Sequence, residues 1–252
     1  MLLEDRVAFV TGAGSGIGAA GAEALAREGA VVIVTDKNGK SAEAVVTRII
    51  ESGGKARALT LDVTEDAALT NAIETVTRDE GRLDILHSHA GVQIEGKLEQ
   101  VAVADMDLSW RLNVRSHFVA AKAAIAPMRR LGAGSVIITS SNSGVQYDRE
   151  MIAYATTKHA VLAMTRQMAA DYARENIRFN ALCPGFIDTP FNHGFEVQMG
   201  GRDKLEAYVR DAIPMGRFGT VEEIAEAIVF LASDRSSFMT GHAFVIDGGE
   251  CI

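Results

Sequence analysis

Short apolar runs rich in β-branched residues alternate along this chain with longer segments whose apolar residues recur at helical spacing. Seven such runs are expected to be strands, at residues 7–10, 31–34, 56–61, 83–86, 136–138, 177–182 and 243–246. This alternation is typical of βαβ units, and strands covered by helices on both faces are continuously apolar, as these are. The pattern predicts an α/β fold with a seven-stranded, parallel, doubly wound sheet.

The segments between these runs are expected to be helices. About six are predicted, the first opening within the glycine-rich stretch at 11–30 and the others covering 39–52, 67–80, 106–130, 153–175 and 221–232. No repeat, linker or charge block divides the chain, so residues 1–252 are expected to form one domain. Residues 188–219 have no clear assignment. Since long loops in compact domains are often functional, this segment is predicted to be a lid over the substrate.

The composition argues against several classes of function. The chain holds 33 acidic and 25 basic residues, a net charge of −8, which disfavours a nucleic-acid partner. No apolar run approaches the length of a membrane span, and the first residues do not resemble a signal peptide, so a cytoplasmic location without a membrane partner is expected. The absence of H-E-x-x-H and C-x-x-C patterns predicts no metal site.

The stretch TGAGSGIG, residues 11–18, follows the first strand and opens the first helix. Glycines there allow a tight turn and a close approach to a pyrophosphate, which the free N–H groups of the helix N-terminus bind, with Ser15 as a further donor. A plain tight turn is the alternative. Asp36 ends the second strand, where an acid accepts hydrogen bonds from ribose hydroxyls and repels a 2′-phosphate. Asp36 therefore favours NAD over NADP, although the adjacent Lys37 weakens that preference.

Tyr154 and Lys158, in the segment YATTK, are four residues apart and share one face of a predicted helix. A nearby ammonium favours tyrosinate, so Lys158 is expected to lower the pKa of Tyr154 toward a range useful for proton exchange. Ser141 follows the fifth strand, at the sheet edge where α/β folds bind ligands. Taken alone, Tyr154 and Lys158 also fit an exposed helix face without catalytic function.

In this order, the motifs resemble those of the short-chain dehydrogenase/reductase family, and the likeness runs from end to end of the chain. The family's glycine pattern is matched by Thr11, Gly12, Gly16 and Gly18. Tyr154 and Lys158 match its Y-x-x-x-K pair, and Ser141 matches its serine, 13 residues before the tyrosine. Asn113 matches its fourth catalytic residue. The segments PGFIDT, from residue 184, and MTGHAFVIDGG, from residue 239, are also similar to the family's.

The resemblance implies a single-domain Rossmann fold and an NAD(H)-dependent oxidoreductase that interconverts a secondary alcohol and its ketone. It implies that Tyr154 is the general acid/base, that Lys158 lowers its pKa and binds the nicotinamide ribose, that Ser141 positions the substrate oxygen, and that Asn113 holds a water for proton exchange. It also implies a homotetramer. Further cofactor contacts are implied for Gly12, Ser15, Gly16, Ile17, Gly18, Asp36, Asp62, Val63, Ala90, Gly91, Pro184, Gly185, Ile187 and Thr189.

The chain departs from the family after the fourth strand, where N-N-A-G is usual and Ser88-His89-Ala90-Gly91 stands here. The family's first asparagine ties neighbouring strands together, and Ser88 is shorter. His89 is interpreted as a hydrogen-bonding substitute and not as a new catalytic group. His87, in the same strand, is expected to be a hydrogen-bonded core histidine.

The substrate wall is expected to include residues that follow the fourth and fifth strands and residues of the lid, namely Gln93, Ile94, Glu95, residues 142–149, Phe186 and residues 191–208. Polar side chains among them, such as Asn142, Gln146, Gln93 and His193, favour a polyol, sugar or other polar secondary alcohol. Three alternatives stay open: an NADPH-dependent ketoacyl-type carbonyl reductase, a non-catalytic nucleotide-binding sensor, and a methyltransferase with a similar glycine loop.

Overall fold

A computed structural model describes residues 1–252 and contains one sheet of seven strands. All pairings are parallel, and the strand order is β3-β2-β1-β4-β5-β6-β7. The predicted seven-stranded parallel sheet is confirmed. The strands are β1 (Val7–Thr11), β2 (Val31–Asp36), β3 (Lys55–Thr60), β4 (Ile85–Ser88), β5 (Gly134–Thr139), β6 (Ile177–Pro184) and β7 (Ala243–Ile246).

Nine α-helices connect or follow these strands. Helix α9 begins with a capping box, in which the side chains of Thr220 and Glu223 each accept a backbone N–H of the other residue. No helix is both long and apolar enough to cross a membrane. The helices are α1 (Gly16–Arg27), α2 (Gly39–Glu51), α3 (Asp66–Glu80), α4 (Val103–Trp110), α5 (Ser116–Leu131), α6 (Ile152–Tyr172), α7 (His193–Met199), α8 (Arg202–Ala212) and α9 (Val221–Ala232).

Alternate residues of each strand feed two separate cores, one on each face of the sheet. In β1, Ala8 and Val10 pack with α1, α2 and α9, whereas Val7 and Phe9 pack with α3, α5 and α6. All four side chains are buried. Because the side chains of a strand alternate in direction, such continuous burial requires helices on both faces, as the sequence predicts.

The strand order reverses between β1 and β4, so the loops that follow these strands turn to opposite faces of the sheet. A crevice opens at such a switch point, beyond the carboxyl ends of the strands. The register places Val10 of β1 opposite His87 of β4, which brings the glycine loop and the segment after β4 side by side.

Several predicted boundaries differ from the structure by a few residues, and two of the differences have a clear physical reason. The fourth strand lies at Ile85–Ser88 instead of 83–86, because the polar side chains of His87 and Ser88 find hydrogen bonds inside the protein and stay in the strand. The single helix predicted at 106–130 is interrupted by a π-helical turn at Arg111–Arg115, which separates α4 from α5.

The segment 188–219, which has no clear assignment from the sequence pattern, contains two α-helices. Gly200 and Gly201, with φ of 86° and 126°, separate α7 from α8. Leu205 and Val209 of α8 are buried in a small cluster together with Ile213. Helix α7 is short, and α8 is rich in charged residues, although Leu205 and Val209 lie one turn apart on its buried face.

Candidate active site

A cavity of about 950 Å³ lies at the switch point, bounded by the carboxyl ends of the central strands and by the segment 188–219. Two residues predicted for the site, Gly18 and Asn113, do not line this cavity. The others line it together: Gly12, Ser15, Gly16, Ile17, Asp36, Asp62, Val63, Ala90, Gly91, Ser141, Tyr154, Lys158, Pro184, Gly185, Ile187 and Thr189.

The glycine loop has the backbone that its sequence predicts. Gly12 and Gly16 have φ of 64° and 53°, in the left-handed region that other residues rarely adopt. A Cβ on Gly12 would stand 2.9 Å from Cα of Ala90, so only glycine lets β1 and the segment after β4 approach this closely. Gly18 packs α1 against the loop, where a Cβ would meet the ring of His89 at 2.9 Å and collide with the carbonyl of Gly12.

The N-terminus of α1 faces the cavity with free donors. Ser15 is its N-cap residue, but the Ser15 hydroxyl does not bond the first turn, and no acidic side chain occupies that turn. The hydroxyl and the first N–H groups therefore remain available to an anion, which the positive end of the helix dipole attracts.

Asp36 is held by the loop it faces. Its Oδ2 accepts the Gly14 N–H at 3.0 Å, and its Oδ1 accepts the Asn38 N–H at 2.9 Å. A carboxylate has about four acceptor positions, so capacity remains for ligand hydroxyls. Lys37 also lines the cavity. The loop thus positions the acid that the sequence assigns to ribose recognition.

Asp62, predicted to lie beside adenine, accepts both the N–H and the hydroxyl of Thr64, at 2.9 and 2.7 Å. These hydrogen bonds hold the pKa of Asp62 below its ordinary value. Thr64 does not cap α3, whose N-cap residue, Glu65, makes no side-chain cap bond. Thr64 instead fixes the direction of the Asp62 carboxylate.

Ser141, Tyr154 and Lys158 come together as buried side chains that line the cavity. Tyr154 and Lys158 lie one turn apart on α6, and the Lys158 Nζ is 5.5 Å from the centre of the Tyr154 ring. Lys158 Nζ donates to the carbonyl of Thr139 at 3.0 Å. Ser141 follows β5, and its Oγ accepts the Ser143 N–H at 3.1 Å.

Burial dominates the acid–base properties of this pair. It raises the pKa of Tyr154 to about 12, with a hydrogen bond from Ser141 as the main opposing effect. It lowers the pKa of Lys158 to about 8. Burial thus shifts the Tyr154 pKa upward in this arrangement, and the expected lowering by Lys158 stays a prediction.

Asn113 lies in the π-helical turn, and its side chain is fully buried away from the cavity. Its Nδ2 donates to the Val92 carbonyl at 2.8 Å and to the Thr157 hydroxyl at 3.0 Å, and its Oδ1 accepts the Val92 N–H at 2.8 Å. Single π-helical turns often occur at functional sites. Here the turn places an amide that clamps the segment after β4 against α6.

The Ser-His pair that replaces the family's two asparagines makes a different set of contacts. His89 Nδ1 bonds the Thr139 hydroxyl at 3.0 Å, which ties β4 to β5 and supports its interpretation as a hydrogen-bonding substitute. Burial and Lys158 lower the pKa of His89 to about 4, so the ring is neutral near pH 7. Ser88 bonds His117 on α5 at 2.7 Å, not a neighbouring strand. The buried His87 bonds Thr139 through Nε2 but has no partner at Nδ1.

The substrate end of the cavity differs in part from its prediction. Gln93, Ile94, Glu95, Gln146 and His193 do not line it. Gln93 Nε2 instead donates to Glu95 at 2.6 Å, whereas the buried Gln93 Oε1 has no partner. The observed wall combines polar and charged side chains with aromatic and Met side chains. It consists of Asn142, Ser143, Tyr147, Asp148, Arg149, Glu150, Met151, Phe186, Phe191, Asn192, Phe195, Gln198, Met199 and Tyr208.

Glu250, after β7, lines the same wall and was not predicted. Its Oε2 accepts from Asn142 Nδ2 at 2.8 Å, and its Oε1 accepts from the Tyr208 hydroxyl at 3.1 Å. Burial raises the pKa of Glu250 to about 7. Nothing in the local sequence distinguishes Glu250 from a solvated acid near the chain end.

The residues present fit a dinucleotide. The close approach at Gly12, the free donors at the start of α1 and the Asp36 carboxylate lie along one side of a single cavity, and Tyr154 and Lys158 line it too. A dinucleotide requires that combination of a phosphate-binding turn, a ribose acceptor and a reaction end.

A family model described as "Enoyl-(Acyl carrier protein) reductase" matches residues 12–250. The 2-(S)-hydroxypropyl-CoM dehydrogenase 3 of Xanthobacter autotrophicus is 38% identical over 250 residues, covering 98% of this chain and 97% of that protein.

Solved structures give the same result. The chain superposes on levodione reductase with a TM-score of 0.95 and 31% identity, covering 99% of this chain and 98% of the other. A 3-oxoacyl (acyl-carrier-protein) reductase from Agrobacterium tumefaciens with NADP bound has a TM-score of 0.91 and 36% identity, covering 98% of this chain and 95% of the other.

Proposed function

Since this chain belongs to the short-chain dehydrogenase/reductase family, whose members are NAD(P)-dependent oxidoreductases acting on CH–OH groups, we propose that it interconverts a secondary alcohol and its ketone with NAD(H). One observation carries this proposal: buried Ser141, Tyr154 and Lys158 line the same cavity as the glycine loop and Asp36. A nucleotide sensor or a methyltransferase has no need of this buried trio.

The cofactor contacts follow from the groups that line the cavity. Gly12, Ser15 and Gly16 would hold the pyrophosphate, and Asp36 would accept from the adenosine ribose. Ile187 and Thr189, after β6, would hold the carboxamide of the nicotinamide. Asp62 and Val63 would flank adenine. The cofactor would supply or accept the hydride at its nicotinamide ring.

The protein residues move the proton and hold the reacting oxygen. Tyr154 would give its hydroxyl proton to a ketone oxygen, or accept one from an alcohol. Lys158, held by the Thr139 carbonyl, would bind the nicotinamide ribose and favour the tyrosinate during the transfer. Ser141 would bind the substrate oxygen. Asn113, whose side-chain N–H groups are taken by Val92 and Thr157, would hold the water that exchanges the proton through an oxygen acceptor only.

Asp36 supports NAD as the preferred cofactor, because its carboxylate repels the 2′-phosphate of NADP. Lys37 beside it and the NADP bound to the Agrobacterium relative support the second candidate, an NADPH-dependent ketoacyl-type carbonyl reductase. The net charge of −8 disfavours docking of an acidic carrier protein, which places this candidate second.

The polar groups of the substrate wall support a polyol, sugar or other polar secondary alcohol as substrate, and its aromatic side chains support contact with a carbon skeleton. A homotetramer is proposed from the apolar side chains left on the surface of α4 and α5, where Trp110 is 46% and Phe118 is 51% exposed. A cytoplasmic location is proposed with it.

The decisive experiment is a set of polyols, sugars, hydroxy acids and β-ketoacyl thioesters assayed with NAD(H) and NADP(H). Turnover of secondary alcohols with NAD at a kcat/KM at least tenfold above that with NADP is expected. Turnover confined to ketoacyl thioesters with NADPH would replace the first candidate with the second. A thermal shift with NADH, without turnover of any compound, would indicate the sensor.

A further inference from the structure

The substrate end of the cavity holds a carboxylate that no step of the proposed reaction uses. Glu250 is placed there by a turn in which Asp247 accepts the N–H groups of Gly249 and Cys251, at 2.9 and 2.8 Å. Gly248 and Gly249, with φ of 68° and 93°, make the turn possible. The backbone of the tail therefore fixes Glu250 toward the cavity.

A chain of hydrogen bonds links Glu250 to the reacting centre. Ser141 Oγ donates to Asn142 Oδ1 at 3.0 Å, and Asn142 Nδ2 donates to Glu250 Oε2 at 2.8 Å. The Ser143 N–H also donates to Asn142 Oδ1 at 2.9 Å, which fixes the orientation of the amide. A single amide group thus separates the residue that binds the substrate oxygen from the carboxylate.

The Glu250 carboxylate keeps free acceptor capacity. Asn142 and Tyr208 each use one of about four acceptor positions. No lysine or arginine lies within ion-pairing distance of Glu250 or of Asp148, the carboxylate whose charge also acts on it. Asp148 itself accepts the Ser143 hydroxyl. Glu250 therefore keeps acceptor positions that its two protein donors do not fill, although Arg149 also lines the cavity.

The titration of Glu250 agrees with this geometry. Burial, Asp148 and Asp247 raise its pKa, against hydrogen bonds from Tyr208 and Asn142. The carboxylate is thus only partly compensated by the protein. A ligand that brings a further hydrogen-bond donor would stabilise it, whereas a ligand carboxylate would meet two like charges.

We propose that Glu250 and Asn142 form a specificity subsite that binds a second hydrogen-bond donor of the substrate, a hydroxyl or amino group carried one or two carbons from the reacting carbon. This inference rests on the proposed alcohol–ketone chemistry and narrows its substrate class. Diols, hydroxy ketones and amino alcohols are favoured over simple alcohols, and hydroxy acids are rejected.

The test compares four matched alcohols in the wild type and in Glu250→Gln: 2,3-butanediol, 3-amino-2-butanol, 3-methoxy-2-butanol and 2-butanol. The methoxy compound keeps the second oxygen but cannot donate. At pH 8.5, where Glu250 with its pKa of about 7 is ionised, wild-type kcat/KM is expected to favour the diol or the amino alcohol over the methoxy compound by about tenfold or more, because a hydrogen bond to a charged acceptor is lost. A preference for the diol identifies a hydroxyl as the donor, and one confined to the amino alcohol identifies an ammonium.

In Glu250→Gln this preference is expected to fall by about tenfold, mostly through KM. A variant of an exposed glutamate outside the cavity, Glu99→Gln, should keep it. An equal loss with all four alcohols would assign Glu250 a structural role and overturn the inference, as would an unchanged preference. Wild-type turnover of 2-butanol without any preference overturns this inference alone, whereas the absence of turnover with every alcohol overturns the proposed function too.

Discussion

The cofactor end of the cavity is built from local segments, whereas the substrate end is assembled from residues far apart in the chain. Gly12, Gly16 and Asp36 follow two adjacent strands, and the Asp36–Gly14 hydrogen bond spans 22 positions. The Asn142–Glu250 hydrogen bond spans 108. The phosphate-binding turn and the ribose acceptor therefore belong to one βαβ unit, although Ala90, Ile187 and Thr189 border the cofactor end from later segments. The substrate end depends on how the tail and α8 pack.

This difference separates two functions. Backbone geometry determines the cofactor end, where a Cβ or a changed φ would remove the fit. Side chains on loops and on the tail determine the substrate end, and these can change without disturbing the sheet. Tyr154 and Ser141 lie between the two ends. The comparison predicts that substitutions at one end change cofactor affinity, and substitutions at the other change substrate preference.

The largest effect is expected where the two ends meet. Tyr154→Phe removes the hydroxyl that transfers the proton and keeps the buried ring, so kcat should fall by about 10²–10⁴-fold with little change in NADH affinity. Steady-state kinetics and an NADH fluorescence titration check the two quantities. Turnover near the wild-type rate would show that another group transfers the proton.

Gly12→Ala should damage the cofactor end and leave the substrate end intact. The left-handed φ costs about 1–2 kcal/mol, and the new Cβ would meet Cα of Ala90 at 2.9 Å, so NADH affinity should fall by more than tenfold together with a lower Tm.

Gly53→Ala is the matched control, because Gly53 has φ of 83° but no atom within 4 Å of the added Cβ. It should show only the cost of the backbone strain, with NADH affinity kept. Equal losses of affinity in the two variants would mean that the close approach to Ala90 is unimportant. Calorimetry measures the Tm of each variant, and titration with NADH measures its cofactor affinity.

Asp36→Ser should change cofactor preference by about tenfold or more, equivalent to about 1.4 kcal/mol, in favour of NADP. The carboxylate that repels a 2′-phosphate is gone, while Lys37 remains to attract it. The ratio of kcat/KM for NAD and NADP, measured with one substrate, gives the result. Asp62→Asn, which replaces a carboxylate by an uncharged amide at the adenine position, should change this ratio far less.

The smallest effect is the pH dependence of stability at the substrate end. Because the folded-state pKa of Glu250 is raised to about 7, its charge destabilises the fold above that value, and the cost disappears as pH falls toward its ordinary pKa of 4.5. Glu250→Gln should therefore gain about 2–4 °C in Tm at pH 8.5 relative to pH 5, a modest value because solvent screens the side chain. A gain in Tm confined to pH 5 would contradict the expectation that the charged form of Glu250 destabilises the fold.

The same contrast explains how much of the molecule its sequence predicts. The seven strands, the glycine loop and the Tyr154–Lys158 pair follow from periodicity and spacing, which local forces determine. The resemblance to a family selected Ser141 from three nearby serines. Asn113 was identified by resemblance alone, and its clamp on Val92 and Thr157 needed coordinates.

What the sequence did not predict depends on burial and long-range packing. The pKa of Tyr154 depends on how completely the fold removes its hydroxyl from water, which spacing to Lys158 does not show. Helix α8 is rich in charged residues, and Leu205 is buried by side chains from other segments, among them Phe186 and Phe218. Glu250 acquires a partner only when the tail turns back at Gly248.

Tyr154 is the residue at which the cofactor end and the substrate end of the cavity meet, and its hydroxyl is proposed to contact the reacting oxygen of the substrate. A crystal structure with NADH and an unreactive ketone bound measures this directly. We expect the Tyr154 hydroxyl to lie about 2.6–3.2 Å from the ketone oxygen, with Ser141 Oγ also within hydrogen-bond distance of that oxygen. A ketone oxygen bound elsewhere, with the Tyr154 hydroxyl directed away from the nicotinamide, would contradict it.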